Sequence, residues 1–166
     1  MIGMKPTGPI PSGFEAIDGE LAIGGRPVSE LVLEAGDTPL FVYSREMLTR
    51  RIADLRAAMP AQLAIHYAMK ANPFAPLLQH MGTLVDGFDV ASVGELEMAL
   101  AAGLDTSRVS FAGPGKRDRE LARAIELGVT LNAESESEVD RALAIGEQQG
   151  VTPRIAVRVN PSFDLK

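Results

Sequence analysis

Short apolar segments alternate with amphipathic segments along most of the chain, and this alternation constrains the fold more than any other feature. The expected strands end near residues 68, 90, 112, 133 and 159, so successive ends are 22, 22, 21 and 26 residues apart. No leucine-rich register of the form L-x-x-L-x-L-x-x-N accompanies this spacing, which argues against a solenoid. Strand–helix alternation with short loops predicts an α/β fold built from βα units around a parallel sheet.

The expected elements follow from apolar periodicity and from capping residues. Ser44 precedes a helix with apolar positions close to a 3.6-residue period, and Ser92 and Ser135 each stand three residues before a glutamate, as in a capping box. The expected strands cover 40–43, 63–69, 84–90, 109–112, 129–133 and 155–159, and the later helices cover about 77–81, 93 onwards, 118–127 and 136–148.

The handedness of βα units leaves two architectures, a doubly wound sheet or a closed barrel. No G-x-G-x-x-G follows the first strand, which argues against a dinucleotide-binding fold. A (β/α)8 barrel needs eight strands and usually about 250 residues, whereas five strands follow the first helix here. The sequence also stops in an expected loop over 160–166. We therefore expect part of a longer barrel protein.

The first 43 residues differ from the rest, and we expect them to be a β segment of a second domain, with the barrel portion over 44–166. Residues 21–23 and 31–33 are expected strands, joined by a turn at the G-G-R-P of residues 24–27. Nothing in this segment indicates chemistry.

Composition narrows the classes of partner. The net charge of −6 and the pI of about 4.9 argue against a nucleic-acid partner, which needs a basic face. No apolar run approaches the roughly 18–20 residues of a membrane helix, and the first residues lack a signal-peptide pattern. The absence of cysteine removes disulfides and thiolate metal sites. These features predict a soluble, mildly acidic cytoplasmic protein without a membrane or nucleic-acid partner, and no metal site is predicted.

Strand alternation places candidate functional groups on one face at the carboxyl ends of strands, where such sheets carry their sites. The shared face holds His66, Ala68 and Lys70 on one strand, and Ala156, Arg158 and Asn160 on the last. The other face holds Ile65, Tyr67, Val157 and Val159, and we expect it to meet the helices. An interior lysine and arginine need anionic partners, because unpaired buried charge is costly. Asp89, Glu134 or a bound anion can supply them.

Five segments match known motifs in order. Residues 66–72 read H-Y-A-M-K-A-N, 87–96 read G-F-D-V-A-S-V-G-E-L, 111–116 read F-A-G-P-G-K, 131–135 read L-N-A-E-S, and 158–161 read R-V-N-P. They resemble Y-A-x-K-A-N, G-x-D-V-x-S-x-G-E-L, F-x-G-x-x-K, F-N-x-E-S and R-V-N-P of the alanine-racemase-like, fold-type III pyridoxal phosphate enzymes. The resemblance is greatest to the diaminopimelate/ornithine/arginine decarboxylase branch, on its diaminopimelate side, and extends to exosortase-associated decarboxylases.

The resemblance implies a (β/α)8 barrel of alanine-racemase type with pyridoxal 5'-phosphate as cofactor and Lys70 as the residue that forms its Schiff base. Asp89 and Arg158 would line the ring side of the pocket, with Arg158 near the phenolic oxygen, and His66 and Ala68 would lie beneath the ring. A Schiff base needs a neutral amine, which burial and neighbouring cations favour. The implied reaction is decarboxylation of a diaminopimelate-like or other basic amino acid by a homodimer with shared active sites.

Several alternatives stay open. The same barrel also serves amino-acid racemases and non-catalytic cofactor-binding proteins. Arg158 is alternatively a structural partner of Asp89 or Glu134, and His66 a hydrogen-bonded core residue. Lys116 and Arg117 are expected at the solvated start of a helix, and Glu95 and Glu138 as caps. The family's cofactor-stacking histidine, glycine-rich phosphate loop and substrate residues cannot be assigned within 1–166, so we expect this chain alone not to catalyse.

Overall fold

The computed structural model describes residue 10, residues 13–160 and residue 162, in two compact units that divide after residue 55. Most of the loop expected over 160–166, and residues 1–9 and 11–12 of the expected β segment, lie outside the described residues.

The first unit holds a three-stranded antiparallel sheet in the order β1-β2-β3, formed by Glu15–Ile17, Glu20–Ile23 and Arg26–Pro27. Two-residue turns join the strands, Asp18-Gly19 and then Gly24-Gly25, and all four residues have positive φ. Such turns match the twist of antiparallel strands and favour Asp-Gly and Gly-Gly pairs. The turn predicted at residues 24–27 is thus a hairpin, with Arg26 and Pro27 already in its second strand.

Two expected strands of this unit were wrong. Residues 31–33 lie in helix α1 (Val28–Ala35), since a short apolar run does not by itself distinguish a strand from a helix. The helix ends at Gly36, whose φ is 83° and whose N–H donates to the carbonyl of Val32 at 2.9 Å, a left-handed termination typical of glycine. Residues 40–43 form no strand and have no strand partner among the described residues.

The second unit is built on a five-stranded parallel sheet in the order β4-β5-β6-β7-β8, so each βα unit adds its strand beside the last. The strands are His66–Ala68, Gly87–Val90, Val109–Phe111, Thr130–Ala133 and Arg154–Val157. Helix α2 (Arg45–Ala58) precedes them, and α3 (Ala75–Gly82), α4 (Val93–Ala101), α5 (Asp118–Glu126) and α6 (Glu136–Gln149) lie between them. This is the predicted α/β alternation, with each strand shorter than its apolar run.

The core lies on the helix-covered face of the sheet. Every second residue of β5, β6 and β7 points there and is buried, as are the apolar stripes of α3 to α6. The largest fully buried side chains include Phe88, Val90, Val109, Phe111, Leu131, Leu78, Leu96, Leu121 and Ile125. The bulky residues of these central strands meet the helices, whereas Tyr67 on β4 and Ile65 just before it, for which this was expected, are only half-buried.

The last strand departs from that expectation. Val157 and Val159 are 72% and 79% exposed, because β8 is an edge strand and no helix follows it among the described residues.

The three predicted N-caps are confirmed. The hydroxyls of Ser44, Ser92 and Ser135 accept from the backbone N–H three residues on, at 3.3, 3.2 and 3.3 Å. The return bonds of the expected capping boxes are displaced by one residue, because Glu95 accepts from the N–H of Ala91, and Glu138 from that of Glu134. The carboxylates therefore fasten the loop that leaves the strand as well as the helix start.

Candidate functional site

A row of hydrogen-bonded polar side chains crosses four adjacent strands on the face opposite the core. The carboxylate oxygen Oδ1 of Asp89 accepts from the Nδ1–H of His66 at 3.2 Å and from the hydroxyl of Ser110 at 2.5 Å. The amide of Asn132 donates to the Ser110 hydroxyl at 3.2 Å. Since a carboxylate only accepts, the histidine hydrogen must lie on Nδ1. Parallel pairing of Ala68 with Asp89 and of Asp89 with Ser110 aligns this row.

Lys70 lies two residues beyond the end of β4, in a short 3-10 turn over Met69–Ala71. Met69 is fully buried, and the N–H of Asn72 donates to its carbonyl at 3.1 Å. The hydroxyl of Tyr67 donates to the carbonyl of Asn72, also at 3.1 Å. These contacts fix the backbone around Lys70, whose side chain is exposed and has no polar partner within the described residues. The burial expected for this amine is not present in this chain.

Arg158 follows β8 and joins the neighbouring strand end. Its N–H donates to the carbonyl of Ala133 at 2.9 Å, and its Nη1 donates to Oε2 of Glu134, also at 2.9 Å. Its Nε donates to Oδ1 of Asn160 at 3.3 Å. The structure thus pairs Arg158 with Glu134, one of the two expected carboxylates, while Asp89 bonds to His66 and Ser110 instead.

Lys116 is buried, which corrects the expectation of a solvated helix start. Its Nζ donates to the carbonyls of Gly113 and Asn132, both at 2.8 Å, and to Oε1 of Glu138 at 2.5 Å. The loop after β6 turns the lysine inward, where a buried charge requires a partner. Arg117, the next residue, is exposed as expected. Glu138 is both a cap and the buried counter-ion.

Ser110 and Asn132 were not among the predicted site residues, and Lys116 was predicted at a solvated position. Ser110 and Asn132 are the polar residues between apolar neighbours in their strands, at the alternation position of Asp89, so the same face argument finds them. The F-x-G-x-x-K motif singles out Lys116 rather than Arg117, but neither residue type nor spacing predicts which of the two is buried.

Two absences bear on the site within the part of the chain that the structure describes. No three His, Asp or Glu side chains come close enough together to hold a metal ion. Among the same residues, no helix combines the length and apolar character that crossing a bilayer requires.

The second unit is a set of parallel βα units with a lysine just beyond its first strand and an ion-paired arginine beyond its last. Residues 45–166 match the family model described as "Pyridoxal-dependent decarboxylase, pyridoxal binding domain". The chain belongs to this family of pyridoxal-dependent decarboxylases.

Individual relatives and solved structures point to the same family. The diaminopimelate decarboxylase of Vibrio cholerae is 41% identical over 151 residues, which are 90% of this chain and 36% of the relative. The crystal structure of an Aquifex aeolicus protein superposes with a TM-score of 0.81 at 40% identity, over 90% of this chain and 37% of that one. Diaminopimelate decarboxylase from M. jannaschii, in complex with L-lysine, superposes with a TM-score of 0.81 at 28% identity, over 92% and 37%. The chain spans about a third of the length of these relatives.

These matches, with the parallel sheet and the separate antiparallel sheet, confirm the expected fold class, the N-terminal part of a (β/α)8 barrel of alanine-racemase type preceded by a β segment.

The family's cofactor is pyridoxal phosphate, and the residues of this edge fit it. Lys70 offers an accessible amine without a competing partner among the described residues, so an aldehyde can reach it. Arg158 is 57% exposed while its Nη1 is held by Glu134, so the guanidinium is oriented by the carboxylate and still accessible to an anionic ligand. Asp89 keeps Oδ2 without a partner among the described residues.

Proposed function

We propose that the protein containing this chain is a pyridoxal-phosphate-dependent amino-acid decarboxylase in which Lys70 holds the cofactor. The observation that carries the proposal is the amine of Lys70, exposed and without a partner among the described residues, on a hydrogen-bonded turn at the carboxyl end of β4. Family membership and the five ordered motifs support it. The same amine would serve a racemase or a non-catalytic cofactor-binding protein, so the preference for a decarboxylase rests on the family model and on relatives that are decarboxylases.

We assign cofactor binding to Lys70, Asp89, Arg158, His66 and Ala68. When bound, pyridoxal phosphate supplies a sink for the electron pair that carbon dioxide leaves behind. Arg158, fixed by Glu134, donates to an anionic oxygen, and a charge-assisted bond of that kind is stronger than a neutral one. Asp89, oriented by His66 and Ser110, accepts a hydrogen bond through Oδ2. Ala68, the register partner of Asp89, has a side chain small enough to leave room beside that carboxylate for the cofactor.

The test of the lysine compares Lys70→Ala with Lys70→Arg in the full-length gene product. Both variants should lose the visible absorption band of the lysine-bound cofactor and the release of carbon dioxide from substrate. The arginine retains the positive charge, so loss in both variants separates covalent attachment from electrostatic attraction. A band that persists in either variant would remove Lys70 from the site.

We propose diaminopimelate as the substrate. Relatives at 41% identity are diaminopimelate decarboxylases, and one similar structure holds L-lysine, which is what remains when diaminopimelate loses one carboxyl group. Carbon dioxide release should be compared for diaminopimelate, ornithine, arginine and lysine. Preference for ornithine or arginine would overturn this assignment.

We further propose two domains, a β segment over 1–43 and the barrel portion over 44–166, in a cytoplasmic homodimer with shared active sites. Family membership supports the dimer, and the net charge of −6 supports a protein without a nucleic-acid or membrane partner. Light scattering of the purified gene product measures its mass, and a monomer that turns over substrate would contradict the dimer. Residues 1–166 alone should release no carbon dioxide, and robust turnover would overturn that expectation.

A further inference from the structure

A buried ion pair stands behind the contact between Glu134 and Arg158. The side chains of Lys116 and Glu138 are 1% and 5% exposed, with Nζ and Oε1 2.5 Å apart. Lys116 also donates to the carbonyls of Gly113 and Asn132. An ammonium has three hydrogens, so this pattern uses all of them. The ammonium therefore has one geometry, which ties the loop after β6 to the end of β7 and the start of α6.

The pair holds Glu134 from two directions. Oε2 of Glu138 accepts from the backbone N–H of Glu134 at 3.3 Å. Gly113, whose carbonyl binds Lys116, donates its own N–H to Oε1 of Glu134 at 2.7 Å. Both the backbone and one carboxylate oxygen of Glu134 thus depend on groups that the buried pair fixes.

The second carboxylate oxygen of Glu134, Oε2, binds Arg158, so the fixed position of Glu134 also restricts the guanidinium. Glu134 is 12% exposed and accepts from Nη1 of Arg158 at 2.9 Å. An exposed arginine otherwise samples many rotamers, which costs free energy when a ligand orders it. A carboxylate held in place reduces that cost before the ligand arrives.

We propose that Lys116 and Glu138 are positioning residues that act through Gly113 and Glu134 to hold Arg158 for the anionic cofactor. The inference rests on the proposed function, since it takes Arg158 as a cofactor residue. It assigns the buried lysine of the F-A-G-P-G-K segment a role in cofactor affinity rather than in stability alone.

A double-mutant cycle in the full-length gene product tests this. The variants are the pair replacement Lys116→Met/Glu138→Met, Arg158→Met, and the triple variant, and the measurement is the cofactor Kd from titration of the apoprotein. Replacing both members by apolar side chains of similar size avoids leaving one buried charge unpaired. The pair replacement should weaken binding about tenfold, and in the Arg158→Met background it should have less than about a twofold effect. Equal weakening in both backgrounds, or no weakening, would overturn the proposal.

A second measurement reads Arg158 without the cofactor. Modification of Arg158 by phenylglyoxal, followed by peptide mass spectrometry of the apoprotein, should be several-fold faster in the pair replacement and in Glu138→Gln. An unchanged rate in both would overturn the proposal even where the pair replacement folds poorly. The control replaces the exposed pair Arg123–Glu97 by methionine and should change neither the rate nor the Kd. If the parent protein does not bind the cofactor, the proposed function is wrong. If it binds the cofactor but the pair replacement and Arg158→Met act independently on the Kd, only this inference is wrong.

Discussion

Gly87 lies so close to the imidazole of His66 that a Cβ built on the glycine would meet Cε1 at 2.6 Å and Nε2 at 2.7 Å. The same Cβ would meet the backbone carbonyl oxygen of Arg108 at 2.6 Å. The two residues are register partners in β4 and β5. Absence of a side chain at Gly87 is therefore what lets His66 reach Asp89, at the first step of the polar row.

Gly87→Ala should destabilise the protein by about 1–3 kcal/mol, the usual cost of added volume in a packed site. The carbonyl of Arg108 belongs to the backbone and cannot rotate away, and the His66 ring must leave Asp89. Urea unfolding measures the loss. Gly94→Ala is the matched control, because its Cβ would meet only the Ser92 hydroxyl at 3.7 Å, an ordinary contact. Equal stability of the two variants would contradict the close approach.

Glu120 should contribute to stability in a pH-dependent way. Hydrogen bonds from the side chain and the backbone N–H of Arg117 hold the pKa of this carboxyl below its usual range, with a further bond from the N–H of Val93. A pKa lower in the folded than in the unfolded chain stabilises at high pH, and the contribution is lost as pH falls through the folded value. The loss therefore begins below about pH 4.3, the ordinary glutamate pKa.

Between pH 7 and pH 2, the free energy of unfolding should fall less steeply for Glu120→Gln than for the parent protein. Glu147→Gln, on an exposed position of α6, is the control and should follow the parent curve. Parallel curves for parent and Glu120→Gln would show that the carboxyl is not perturbed.

The cap of α6 should be measurable. Ser135→Ala removes the acceptor for the N–H of Glu138, and loss of such a cap typically costs about 1 kcal/mol. Ser135→Asn should restore most of it, since asparagine caps equally well. Thermal unfolding gives the comparison, and an alanine variant as stable as the asparagine variant would argue against the cap.

The sequence predicted the second unit well because its signals are local. Ser92 and Ser135 mark helix starts through a hydroxyl and the next turn, and the strands of the sheet show buried alternation. The first unit was harder, since residues 31–33 are apolar in a way that suits helix and strand alike. Only the left-handed ending at Gly36 decides between them.

The positions of the candidate site residues were predicted in part, for a physical reason. Asp89 and Arg158 stand at strand ends, where alternation and motif agree, and Glu134 was among the expected counter-ions. The inward turn of Lys116 depends on carbonyls 3 and 16 residues away, which no local pattern specifies. The exposure of Val157 on β8 could not be predicted either, because it depends on whether another element covers this edge strand, and the local sequence does not specify that.

Reductive trapping identifies the amine that carries the cofactor. The full-length gene product, loaded with pyridoxal phosphate, is treated with borohydride, digested and mapped by mass spectrometry. We expect the reduced cofactor on the peptide that contains Lys70. Label on the Lys116 peptide, or on any other lysine while Lys70 stays unlabelled, would contradict this expectation.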